Sequence, residues 1–202
     1  MTETFCHASP QHAGQVVPLI VSIAPRPLTV VYGDRYLEPY LAHAFARNLG
    51  HFGHARHRLV LQHGRCRGVV ATLSAQQKNG LDLGLLCSVL RFYPGLSGAG
   101  VIRRLLRSVA GHPKPSADAL FIYNLVVAPE ARGKGLGRRL LHMALESARA
   151  GGQRRVELDV EAGNTAAISL YHAQGFKAMA ELPGACCGDW QFPAQLRLGL
   201  AL

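Results

Sequence analysis

The run Arg132-Gly133-Lys134-Gly135-Leu136-Gly137-Arg138 sets a glycine at every second position, and Arg139 follows as a fourth basic residue. The chemistry open to such a run is anion binding. A helix starts with backbone N–H groups that lack intrahelical acceptors, and its macrodipole puts partial positive charge at that same end. Glycines placed just before the start let an anion reach the backbone without Cβ obstruction. Arg132, Lys134, Arg138 and Arg139 add cationic charge around it. The segment therefore reads as an anion site of pyrophosphate size.

Two well-known phosphate cradles do not fit. A P-loop requires Ser or Thr directly after its lysine to hold magnesium, and Gly135 follows Lys134. A dinucleotide fingerprint requires Gly-x-Gly-x-x-Gly, and Arg138 stands in its last place. Other constellations are weaker. His51, His54 and His57 sit three apart, but no carboxylate or cysteine joins them locally, and Gly50 and Gly53 suggest a loop. Cys186 and Cys187 are adjacent and lack the second pair a zinc site needs. The basic stretch 101–108, "VIRRLLRS", lacks the aromatic residues on which nucleic-acid bases stack, so it reads as a solvated helix face.

The elements that must position the glycine turn are legible around it. Residues 119–127, "ALFIYNLVV", form a buried-strand pattern stopped by Pro129. Leu136, Leu140, Leu141, Ala144, Leu145 and Ala148 repeat at helical spacing up to Gly151-Gly152. In "RRVELDVEA", Val156, Leu158 and Val160 alternate with Glu157, Asp159 and Glu161, which predicts a strand. Asn164 caps a predicted short helix through Gln174, Gly175 closes it, and Phe176 begins another strand. "WQFPAQLRLGLAL" supplies a last strand. Upstream, Ser9-Pro10 opens a predicted helix toward Ile23 that Pro18 should kink, and residues 37–49 form a second helix. Residues 57–75 carry a hairpin signal centred on His63-Gly64, and residues 96–110 form an Arg-bearing helix. Strand–helix–strand–helix–strand places the fold in the α/β (α+β) class.

The 202 residues, 49% of them hydrophobic, suffice for one well-cored domain over residues 1–202. The opening "MTETFCHASP" lacks the order of a secretory signal, and the nine-residue apolar run 16–24, broken by Pro18, is too short to span a bilayer. Five scattered cysteines form no disulfide framework, which favours a reducing, cytoplasmic setting. The net charge of +10 is uneven, with +9 in residues 1–117 and +1 in the remainder. Such excess suits an anionic cofactor or an acidic partner.

Arg132, Gly135 and Gly137 match the Arg/Gln-x-x-Gly-x-Gly/Ala motif, so residues 119–177 resemble the GNAT acetyltransferase superfamily. The stretch 158–176, "LDVEAGNTAAISLYHAQGF", is similar to that family's strand–Asn–helix–Tyr–Gly-Phe segment. The resemblance implies a mixed, twisted sheet flanked by helices and splayed between its fourth and fifth strands. It assigns residues 119–202 to an acetyl-CoA-binding core and residues 1–118 to the acceptor side. Backbone groups of Leu125, Val126 and Val127 would hold the pantetheine arm as an added strand would. The turn formed by Arg132, Gly133, Lys134, Gly135, Leu136, Gly137 and Arg138 would hold the pyrophosphate. Asn164 would bond the arm while capping its helix.

The resemblance further implies acetyl transfer from acetyl-CoA to a primary amine by direct attack, without a metal. Tyr171 takes the family's tyrosine position, as general acid to the departing thiolate and as a cofactor contact. The backbone N–H near Val127 is the expected oxyanion partner. Asp159 is the candidate general base, with Glu161, Tyr123, Asn124 or a water chain as alternatives. The expected partners are acetyl-CoA and an amine acceptor, the latter on an anionic molecule given the basic amino-terminal half. Membrane and nucleic acid are not expected partners, and a homodimer is compatible with the sequence. Two other readings are a silent CoA-sensing domain and a basic nucleic-acid-binding protein.

Overall fold

The computed structural model describes residues 3–110, 112–187 and 190–202. In chain order these form β1 (Glu3–His7), α1 (Ala13–Ile23), α2 (Pro25–Tyr32), α3 (Leu37–Ala46), β2 (His57–Gln62), β3 (Arg65–Ser74), α4 (Ala75–Phe92) and α5 (Ser97–Ser108). The chain continues through β4 (Ala119–Val127), α6 (Leu136–Ala150), β5 (Arg155–Glu161), α7 (Thr165–Ala173), β6 (Lys177–Leu182), β7 (Cys186–Cys187), β8 (Trp190–Gln191) and β9 (Gln195–Ala201).

Seven strands make one mixed sheet in the order β1-β2-β3-β4-β5-β9-β6. Every neighbouring pair is antiparallel except β4 with β5. The parallel pair needs a crossover, and α6 supplies it. The leucine stripe of α6 lies on one face of the sheet against Val60, Val70, Ile122, Val156, Leu158 and Leu198, with Tyr171 of α7 and Phe176 in the same core. The opposite face carries α1 and α3 against Leu59, Val69 and Val126, with Val89 of α4 and Val101 of α5. The α/β architecture expected from the sequence is the observed one.

The turn between β2 and β3 is where expected, with His63 at φ 50° and Gly64 at φ 72°. Positive φ at both central residues is the twist-matched geometry of a two-residue hairpin. Ser9 caps a 3-10 turn, Pro10–His12, before α1 begins at Ala13. Pro18 is accommodated inside α1, and the chain bends instead at Ala24, by 103° between that helical stretch and α2.

Four elements lie outside the sequence reading, the two-residue β7 among them. β1 is an edge strand whose pairing is decided by β2. α2 begins Pro-Arg-Pro, a composition that resembles a turn. α4 carries Gly80 and Gly84, and its leucines are spread around the helix, so no apolar stripe marks it. Its start is set by Ser74, which accepts from the Gln77 N–H at 3.3 Å while Gln77 reaches back to the Ser74 N–H at 3.1 Å. The expected last strand is two elements. β8 pairs with β7, and β9 starts only after Pro193.

Candidate functional site

β4 and β5 pair from Ala119↔Arg155 to Ile122↔Leu158, and their pairing ends there. Beyond this point the strands splay. On its other edge β4 stays bonded to β3, with a bulge: Ala71 faces Asn124 and Thr72 faces Ile122, leaving Tyr123 as the extra residue. The Ala128 N–H donates to Arg67 O on the β3 side at 2.9 Å. Amides alternate along a strand, so the backbone groups of Leu125 and Val127 point to the splayed edge and those of Val126 to β3. The Val127 carbonyl already accepts from Arg132 Nε at 3.2 Å, which leaves its N–H for a ligand.

The glycine turn stands at the mouth of this splay. Gly133 and Gly135 both have φ near +74°, the left-handed region that any Cβ penalises. Gly137 answers to packing instead, since a Cβ there would stand 3.2 Å from Leu170 Cδ2 on α7. The helical ladder of α6 first closes at Arg139 N–H to Gly135 O, 3.2 Å. The N–H groups of Leu136, Gly137 and Arg138 precede it and lack intrahelical acceptors. Of the four cations, Arg139 is taken by Glu3 of β1 at 2.5 Å. Among the described residues no carboxylate pairs with Arg132, Lys134 or Arg138, and all three are exposed.

A cavity of about 450 Å³ fills the splay, bounded by Ile122 and Leu125 of β4, Val160 of β5, Asn164, and Tyr171 of α7. Asn164 Oδ1 accepts the Ala167 N–H at 3.1 Å, so the cap uses the oxygen and leaves the Nδ2 amide for the cavity. Tyr171 is buried, its ring 5.8 Å from that of Phe176. Burial pushes its hydroxyl pKa up to about 12. A phenol so placed keeps its proton at neutral pH and can donate it.

Asp159 lines the same cavity but is committed elsewhere. Arg197 of β9 donates Nη2 to Asp159 Oδ2 at 2.8 Å and Nε to Oδ1. The same guanidinium bonds Pro113 O at 3.0 Å and lies 3.7 Å from Glu157, which is 1% exposed. Burial disfavours the Arg197 charge, and Asp159 and Glu157 outweigh it, holding its pKa above the ordinary value. Both Asp159 oxygens are thus engaged by charge-assisted hydrogen bonds to one guanidinium. Of the alternatives, Glu161 is exposed at the rim of the cavity. Tyr123 donates its hydroxyl to His51 O at 2.7 Å, and burial raises its pKa. Asn124 lines the cavity with a buried Nδ2 that lacks a partner among the described residues.

The three histidines do not converge. His54 bonds Phe45 O, His57 bonds Gly53 O, and His51 bonds Asp82 of α4 at 2.7 Å. Cys186 is exposed, and the side chain of Cys187 lies outside the described residues. Sequence reasoning missed Asp82, His51 as its partner, and Arg197. Each pairing joins residues more than 30 positions apart, and no local spacing signals it.

Residues 28–176 match the model of the Acetyltransferase (GNAT) family, and the chain belongs to that family. It is similar to mycothiol acetyltransferase of Beutenbergia cavernae, 48% identical over 66 residues that cover 33% of this chain and 22% of that protein. It is also similar to the L-methionine sulfoximine/L-methionine sulfone acetyltransferase of Salmonella typhimurium, 37% identical over 70 residues covering 34% and 41%. The matched stretches thus span less than half the length of these relatives. Among solved structures, an N-acetyltransferase from Staphylococcus aureus Mu50 shares the fold at a TM-score of 0.72 and 14% identity, over 98% of this chain and 100% of that one.

Proposed function

We propose that this protein is an acyl-CoA-dependent N-acetyltransferase that moves an acetyl group from acetyl-CoA to a primary amine by direct attack. The observation that carries this is the opening of β4 from β5 directly beside the α6 amides, with Tyr171 buried in the cavity between. The amides of the glycine turn hold the pyrophosphate of the donor, with Arg132, Lys134 and Arg138 around it. The free edge of β4 at Leu125 and Val127 and the Nδ2 of Asn164 hold the pantetheine arm. The thioester supplies an activated acyl group, so the protein must position it, stabilise the oxyanion and protonate sulfur. The Val127 N–H serves the oxyanion and the Tyr171 hydroxyl serves the sulfur.

A second cavity of about 460 Å³ lies behind Phe121, Tyr123 and Asp159, against α4 and α5. Leu73, Leu86, Leu105 and Val109 line it, with Lys78 and Lys114 at its edge. This cavity suits an acceptor with an apolar body and an acidic group. It also accords with the positive balance of the amino-terminal half.

Thermal unfolding with acetyl-CoA, CoA, ATP and NAD tests the donor. At about a hundred times its dissociation constant a specific ligand adds roughly 2.7 kcal/mol. A shift with acetyl-CoA and none with ATP or NAD is expected. Thiol release with L-leucine and with L-leucinamide at low salt then tests the acceptor class, and equal rates would remove the anionic reading. A shift without turnover on any amine would favour a CoA-sensing role.

A further inference from the structure

Gly50 has φ +52°, and a Cβ there would stand 2.9 Å from Leu85 Cα, so the 3-10 turn Gly50–Phe52 rests directly on the backbone of α4. That contact sets His51 beside Asp82. His51 Nε2–H donates to Asp82 Oδ1 at 2.7 Å, and Lys78 donates to Asp82 Oδ2 at 2.6 Å. Tyr123 holds the turn from β4 through its bond to the His51 carbonyl, with its ring edge-on to the imidazole at 5.7 Å. With Nε2 spent on Asp82, Nδ1 carries the free lone pair.

His51, Leu85, Phe121, Tyr123 and Asp159 line both the splay cavity and the cavity behind it. Within that shared wall three groups are titratable. The Tyr123 hydroxyl donates its proton to the His51 carbonyl, and both Asp159 oxygens are held by Arg197. Of the three, His51 alone offers a ring-nitrogen lone pair with no hydrogen-bond partner among the described residues.

We propose that His51 is the base that takes the proton of the acceptor amine, with Asp82 as its positioning residue. The assignment rests on the transferase reading above. The amine nitrogen bonds to the thioester carbonyl carbon, and the C–S bond breaks with its electron pair going to sulfur. His51 Nδ1 takes the amine proton, and Tyr171 gives its proton to the thiolate. The products are the amide and the free thiol, and the proton on His51 returns to the Tyr171 phenolate through solvent.

The charges facing the imidazole agree with this role. Burial lowers its pKa below the ordinary 6.5, Asp82 opposes that, and Lys78 adds to it. Tyr32 of α2 shares the splay cavity, while His112, Lys114 and Arg197 border the other side. His51 is therefore neutral at pH 7, and the acid limb of kcat/KM falls below pH 6.5.

The test uses the full chain and the fastest of L-leucine, L-leucinamide, benzylamine, spermidine and an alanine-led peptide. His51→Gln should lower kcat about a hundredfold, leave the acetyl-CoA thermal shift unchanged and abolish the acid limb. Asp82→Asn should lower kcat about tenfold and move the limb to lower pH, because an anion that favours imidazolium is gone. The His51 ring signal in ¹H–¹³C NMR, assigned by its loss in His51→Gln, should titrate below pH 6.5 and lower still in Asp82→Asn. Retention of kcat and of the limb in His51→Gln overturns the proposal, as does a His51 ring that titrates normally and ignores Asp82→Asn. Acetyl-CoA binding by the unaltered chain without turnover on any probe overturns it together with the transferase reading. Absence of acetyl-CoA binding by the unaltered chain overturns the transferase reading and the His51 assignment with it.

Discussion

Arg197 and Asp159 face each other across the β5–β9 pairing, and the guanidinium donates to both carboxylate oxygens while stapling the backbone of Pro113 to the sheet. Arg197 is 5% exposed, so the pair is structural first. Asp159→Asn leaves a buried cation with Glu157 only at 3.7 Å and should destabilise the fold by about 3 kcal/mol in urea unfolding. The triple change Glu157→Gln, Asp159→Leu and Arg197→Met, which removes all three buried charges together, should recover most of that loss. An Asp159→Asn protein of unchanged stability but without turnover would make Asp159 the base instead.

Asn164 separates two roles by atom. Its oxygen caps α7, and its amide faces the cavity. Asn164→Asp should keep the cap and stability yet weaken acetyl-CoA binding about tenfold. Asn164→Ala should lose the affinity and also about 1 kcal/mol of stability. Calorimetric titration beside thermal unfolding distinguishes the two.

Tyr171→Phe keeps the ring contact with Phe176 and removes only the hydroxyl. It should leave acetyl-CoA affinity within twofold while kcat falls about a hundredfold. With the phenol pKa near 12, no alkaline loss of activity from Tyr171 should appear below about pH 10.

Gly135→Ala forces a Cβ into a left-handed conformation at φ +74°. It should cost about 1 kcal/mol of stability. It should also weaken acetyl-CoA binding more than tenfold, since the strain is relieved by moving the amides proposed to receive the anion. Matched melting curves with and without acetyl-CoA read both effects.

His57 is buried between Phe45 and Tyr123, and burial lowers its pKa to about 4. The unfolded chain takes up its proton near pH 6.5, well before the folded chain does. Stability from this residue is thus complete above pH 6.5 and lost as pH falls toward 4, by about 3 kcal/mol at pH 4. Urea midpoints between pH 7 and 4 should follow this slope, and His57→Phe should flatten it.

The sequence displayed the proposed donor side because the residues that form it are local. Arg132 to Arg138 lie within one turn and the start of one helix, and Asn164 and Tyr171 lie on one short helix. Spacing alone specifies which backbone amides are free and which residue caps, while β4 is legible as an apolar run ended by Pro129 and α6 from its apolar period. A period of two in β5 records which face is apolar, but not what covers the other face. Only the tertiary structure shows Arg197 lying there across the Glu157 and Asp159 carboxylates. It alone brings Asp82 to His51, because that meeting depends on Gly50 packing on the backbone of α4. Residues far apart in the chain meet through packing, and packing leaves no spacing in the sequence to read.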